Sequence, residues 1–498
     1  MRILYFDLDC IRDDHLGCYG YHRDTSPVID GIAREGVRFT RCYTSNAPCA
    51  PSRAALFSGR FGINNGIATN TDAPLRYPGG MAPRDARRLA PSWMRHLMAH
   101  GFHTVSFSNF ADRHKAWWFH EGWSEFHMIN LRCGFETADE VNAKALPWFE
   151  AFGARDNYFA HIHYWDIHFP YRLPDMPRHM ERFRNDPLPA WPDEETIRRQ
   201  YASIHGSRTA YDLWGGNFGH LRQCPWMPEK VSNLQEFRQL IDGYDASIHY
   251  VDQHMGQILD VLRRQGALDD TAIIISGDHG DCFGECGGHY MDHTIGSEPE
   301  LRRPLIIRWP EVTRPAVRDE MIYLLDLAPT VCELAGLPAS PPLWDGLSFA
   351  PALRDQAFSG REFVVLESGM GALQRVVRTR DHAFVRTLHP GLYPIDEPDA
   401  LYDMRTDPAM TRNCAADHPE RVQQHKALLA DWLAEQFPRH APHPDPLEEA
   451  AGHGEKGFVL RARQYAEKLR DDGRPEHAEA LLRRMERCHP GVNWKTEF

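Results

Sequence analysis

The chain has 498 residues, 42% of them hydrophobic and 25% charged, and its net charge is -13. That length exceeds one small core and calls for a large domain with smaller additions. The charge excludes a global positive field for nucleic acid or an anionic membrane surface, so an anionic ligand would need a local cluster of cations or a metal.

Residues 3–6 form an apolar run that predicts a buried strand ending at Asp7 and Asp9. The run is too short for a signal-peptide core, and no later stretch approaches the ~20 apolar residues needed to span a bilayer. The eleven cysteines are scattered and odd in number. That argues against a disulfide framework and places the chain in a reducing cytoplasm. Ile248, Val251, Met255, Ile258, Leu259 and Leu262 recur at helical spacing, with Gly266 as a stop. The continuous β-branched run 271–276 suits the interior of a mainly parallel sheet covered on both faces. Residues 304–308 read as another strand and 326–337 as a helix. A turn-rich stretch around 338–342 and Gly346 sets a domain boundary near 355. Short strand-like runs at 363–366, 375–378 and 383–388, closed by a helix over 419–436, predict a small antiparallel subdomain. The expected organisation is a doubly wound α/β domain over 1–355, a smaller α+β unit over 356–440, and a linker with a helical, charged extension over 441–498. In that tail Phe458, Leu460, Tyr465, Leu469, Ala478, Leu481 and Leu482 make an apolar stripe that must pack on something. Its own catalytic domain is one partner; a neighbouring subunit, giving a homo-oligomer, is the preferred one.

The chemistry concentrates in Cys49-Ala-Pro-Ser-Arg53, followed by Ser58-Gly59. Pro51 suits a first helical turn, which puts Cys49 at a helix N-terminus that favours anions, with Arg53 one turn further on. A lone cysteine before a helix is more often a core residue. The whole string, however, resembles the signature of the type I sulfatases of the alkaline phosphatase superfamily. In that family the cysteine is oxidised to formylglycine, whose hydrate is the nucleophile. Thr25-Ser-Pro-Val-Ile-Asp30, Asp326-Leu-Ala-Pro-Thr330, Asp345-Gly346 and Leu401-Tyr-Asp-Met-Arg-Thr-Asp-Pro408 with Asn413 are similar to other family segments.

Asp9 ends the first strand, and Asp278 and His279 follow the run at 271–276, so both segments reach the ligand-binding edge of a doubly wound sheet. Two carboxylates and an imidazole make a divalent-metal site with Cys49 as a further ligand, calcium being the expected ion and manganese the alternative because of the His279 nitrogen. The resemblance also implies catalytic roles for His168, as a sulfate contact, and for His293, standing where many sulfatases carry a lysine and suited to protonate the leaving oxygen. It implies a sulfate ester, small-molecule or saccharide, as substrate, and a formylglycine-generating enzyme as partner in maturation. Two departures stand out. Cys10 occupies the place of a second metal-binding aspartate in some members, and Ser108-Asn-Phe-Ala111 replaces the family's Gly-Lys-Trp-His. Asn109 and His114 are the nearest substitutes for the missing base. The Asp278-His279 pair resembles the related phosphonate monoester hydrolases, the alternative function. Trp117, Trp118, Trp165, Arg172, Trp191 and Trp214 suit a sugar or aryl pocket, and core packing equally.

Overall fold

The computed structural model describes residues 1–70, 75–76, 92–131, 135–203, 208–209, 224–338, 344–440, 443–452 and 461–489. In chain order the strands that matter here are β1 (Arg2–Leu8), β2 (Val37–Tyr43), β3 (Asn46–Ala47), β4 (His103–Phe107), β5 (Glu125–His127), β6 (Tyr158–Tyr164), β7 (Thr271–Gly277), β8 (Arg302–Arg308), β9 (Ala316–Arg318) and β10 (Ile322–Tyr323). The helices are α1 (Pro27–Glu35), α2 (Cys49–Ser58), α3 (Trp93–Ala99), α4 (Phe110–His114), α5 (Ala138–Phe152), α6 (Leu234–Arg264) and α7 (Leu327–Leu334).

The large sheet runs β9-β2-β8-β7-β1-β6-β4-β5, with β10 also on β2. Strand β1 lies parallel to both β6 and β7. The expected strand at 304–308 is present, but it runs antiparallel to β2 and β7, so the sheet is mainly parallel rather than wholly so. Alternate residues of β1 face opposite layers. Leu4, Phe6 and Leu8 pack with α1, α5 and α6, whereas Ile3 and Tyr5 pack with α2, α3 and α7. This is why the strand reads as an unbroken apolar run: both of its faces are core.

A second sheet holds β11 (Phe363–Met370), β12 (Ala372–Thr379), β13 (His382–His389) and β14 (Asp399–Asp403), paired antiparallel. Its fifth strand is β3, which joins β11 in parallel, so the chain just before Cys49 is tied to the small sheet across the expected boundary at 355. The closing helix α8 (Pro419–His440) packs Val422, Leu429 and Trp432 on this sheet.

The tail forms α9 (Ala462–Asp471) and α10 (Pro475–Cys488). Tyr465, Leu469, Ala478, Leu481 and Leu482 are buried together with Met370, Ala372, Leu392 and Tyr393 of the same chain. The tail's described stripe is therefore covered by its own chain, in contrast to the preferred reading of a subunit contact. Phe458 and Leu460 lie outside the described residues, as does Trp214. Among the described residues, no helix is long and apolar enough to cross a membrane.

Candidate active site

Strands β1 and β7 deliver Asp9 and Asp278 from their carboxyl ends. The register of β1 on β7 pairs Leu8 with Gly277, which sets Asp9 beside Asp278. Helix α2 starts at Cys49 itself and is buried along its whole length, as its small and apolar residues allow. Left-handed Gly59 closes it, donating to Ala55 and Leu56. Ser52 fixes the helix to the other strand by donating to the Asp278 carbonyl at 2.8 Å.

Asp9, Cys49, Asp278 and His279 are all buried and offer one ligand atom each within 4.8 Å of one another. Cys49 Sγ lies 3.0 Å from His279 Nε2. The Asp9 Oδ1 atom is buried without a hydrogen-bond partner. Such an orphaned acceptor is costly, and together with a second carboxylate and an imidazole nitrogen it suits a divalent cation. Burial raises the Asp278 carboxyl to about 7, and it raises Asp9 as well. Burial, then Asp9 and Asp278, push the Cys49 thiol far up.

Arg53 is fully buried and braces this acidic cluster. It grips Asp7 through Nε at 2.8 Å and Nη2 at 3.0 Å, meets Asp278 through Nη1 at 2.5 Å, and lies 3.1 Å from Asp9. Although burial works the other way, this pairing holds Asp7 well below the carboxylate range. Nη2 also donates to His163 Nε2 at 2.9 Å. Arg53 thus serves the carboxylates, and its reach to Cys49 is through space.

His168 and His293 join Cys49 in a second group whose ligand atoms lie within 4.8 Å of one another. His168 donates from Nδ1 to the Phe169 carbonyl at 2.5 Å, and burial, then the charge of Arg113, keep it well below its ordinary pKa. With Nδ1 donating and protonation disfavoured, its Nε2 is left as an acceptor. His293 bonds Asp281 through Nδ1 at 2.6 Å. Burial opposes protonation of His293, but the Asp281 bond wins and its pKa is raised. Asp281, a single loop aspartate, carries no periodic signal in the sequence; its place two residues after His279 is its only cue.

Asn109 does not replace the missing base. Its amide donates to Asn130 and Glu136, and its carbonyl accepts from Ile129 N–H at 2.8 Å. His114 keeps a buried Nε2 without a hydrogen-bond partner, with its ring 6.1 Å from Trp165. Cys10 adopts a left-handed φ of 58°, and its thiol lies 3.6 Å from His279 Nδ1. Of the aromatic candidates, Trp165 stacks on His168 at 4.8 Å, Trp117 is 64% exposed, and Trp191 lines a separate cavity.

The family model "Sulfatase" matches residues 3–337, and a second, "N-sulphoglucosamine sulphohydrolase, C-terminal", matches residues 284–436. An N-acetylglucosamine-6-O-sulfatase of Bacteroides thetaiotaomicron is 25% identical, covering 88% of this chain and 87% of its own. A choline-sulfatase of Rhizobium meliloti is 24% identical over 80% of this chain and 79% of its own. Among solved structures, a phosphonate monoester hydrolase of Agrobacterium radiobacter superposes with a TM-score of 0.68 at 19% identity, over 88% of this chain and 96% of that one. A protein in complex with its substrate D-glucosamine-2-N,6-O-disulfate gives 0.67 at 22% identity, over 89% and 99%.

Proposed function

Because this chain belongs to the sulfatase family, we propose that it hydrolyses a saccharide sulfate monoester with a formylglycine nucleophile made from Cys49. The observation that carries this is the meeting of Asp9, Cys49, Asp278 and His279 within 4.8 Å at the carboxyl edge of the sheet. An unmodified thiol suits the role poorly, since its surroundings hold the proton on. The hydrated aldehyde would supply two hydroxyls on one carbon, one to attack sulfur and one to expel sulfate afterwards.

Asp9, Asp278, His279 and the oxygen at position 49 would hold the divalent ion, calcium or manganese. When bound, that ion supplies Lewis-acid polarisation of the sulfate oxygens. The remaining work falls to side chains. Arg53 keeps the carboxylates in register. His293, whose ring Asp281 aims and whose pKa it raises, gives a proton to the departing sugar oxygen. His168, with Nε2 left as an acceptor, takes the proton released as the aldehyde returns, which revises its expected part as a sulfate contact. Two histidines whose surroundings shift their pKa values in opposite directions divide acid from base.

A second reading, phosphonate monoester hydrolysis, is favoured by the His279 nitrogen among the ligands. Turnover of a sugar 6-sulfate and of an aryl phosphonate by the same preparation decides between them. The sulfatase reading expects the larger kcat/KM on sulfate, with activity lost in Cys49→Ala; a preference for phosphonate reverses it.

A further inference from the structure

Arg172 lies four residues beyond His168, in the loop that leaves β6 on the catalytic side. Its guanidinium carbon sits 4.2 Å from the centre of the Phe135 ring. Arg113 stands 5.5 Å from the same ring and 4.3 Å over Trp165, which stacks on His168 at 4.8 Å. Two guanidinium groups and two rings thus form a file leading away from His168. Stacking on a ring orients an arginine without using its N–H donors.

In Arg172 this leaves one edge unengaged. Its side chain bonds Cys224, yet Nε and Nη2 are buried without a hydrogen-bond partner. The same Nε/Nη2 edge of Arg53 holds both oxygens of Asp7, at 2.8 and 3.0 Å. It is the edge that matches an oxyanion bidentately. Arg172 and Phe135 also line a cavity of about 690 Å³. The acids on that wall have other partners: Asp139 accepts from Tyr250 at 2.7 Å, and Glu140 from Asn130 and the Thr137 N–H at 3.0 Å.

We propose that Arg172, with Arg113 across Phe135, forms a subsite for a second oxyanion on the substrate, a carboxylate or a second sulfate borne by the saccharide being desulfated. The inference rests on the sulfatase reading for the identity of the first anion. It also meets the requirement set by a net charge of -13, that anion recognition be local.

Calorimetric titration of full-length Cys49→Ala protein in calcium buffer tests it without turnover. The probes are a 6-sulfated N-acetylhexosamine, the same sugar with a second sulfate, and the 6-sulfated sugar linked to a uronic acid. One doubly anionic probe binds about tenfold to a hundredfold more tightly than the singly sulfated sugar, as expected for a buried bidentate charge-assisted contact. Which one does so identifies the oxyanion. Arg172→Gln abolishes that preference. Arg172→Lys, which keeps the charge and loses the fork, also lowers it, and serves if the glutamine variant fails to fold. Equal binding of all three probes, no binding of either doubly anionic probe, or a preference that survives in both variants overturns the subsite. Turnover of 4-nitrophenyl sulfate by the enzyme with Cys49 intact is scored separately, so failure of the sulfatase reading is told apart from failure of the subsite.

Discussion

His168 and His293 face each other with ring centres 5.3 Å apart, yet the protein drives their pKa values in opposite directions. The difference is local: His168 has a backbone carbonyl on Nδ1, and His293 has the Asp281 carboxylate. Replacing that carboxylate tests the assignment. In Asp281→Asn, kcat on a sugar sulfate falls about tenfold to a hundredfold, because the leaving alkoxide needs its proton. On 4-nitrophenyl sulfate, whose leaving group departs unprotonated, kcat changes far less. Equal losses on both substrates would show that Asp281 only supports the structure. Cys49, Asp9, Asp278 and His279 were legible in the sequence because each sits in a short contiguous string beside a strand or helix. Asp281 and the Phe169 carbonyl were not, because their roles exist only once the loops fold over one another.

At the scale of elements, α6 shows what periodicity misses. The apolar spacing predicted a helix over 248–262, but the helix runs Leu234–Arg264. Its first half carries buried polar residues that break the apolar pattern and find partners on distant loops: Asp242 and Asp245 bind Arg23 at 2.8 Å. Asp252 accepts the Val28 and Ile29 N–H groups, at 3.0 and 2.8 Å, and so caps α1 from another element. Burial raises its carboxyl from 3.8 to about 7. The folded state therefore binds a proton that the unfolded chain has released between these values, and stability declines as pH rises through that window. Asp252→Asn removes this dependence. Denaturant unfolding at pH 5 and pH 8 should show the wild type losing on the order of 2–4 kcal/mol more than the variant. Parallel pH profiles for the two proteins would refute the assignment.

The small sheet is completed by chain segments that come from outside it. Strand β3 lends residues 46–47 to the small sheet immediately before Cys49, and the α9–α10 hairpin covers Met370 and Tyr393 of that unit. The doubly wound sheet and the small antiparallel sheet were legible from continuous and short β-branched runs. The reversed strand β8 was not, since direction leaves no trace in apolar patterning. Nor was the tail's partner, because an amphipathic stripe declares that it packs without saying on what. Deleting residues 461–498 uncovers several apolar side chains, each worth roughly 2 kcal/mol. The truncated protein should melt at a clearly lower temperature while its mass by light scattering keeps the same number of subunits. A change in subunit number would return the tail to an intersubunit role.

The central claim concerns the chemical state of position 49. Mass spectrometry of the Cys49 peptide, across preparations that differ in extent of maturation, gives the fraction carrying an aldehyde, to be set against specific activity on a sugar sulfate. Activity should rise in proportion to that fraction and vanish with it. Full activity in protein whose Cys49 peptide holds only the unmodified thiol would contradict this.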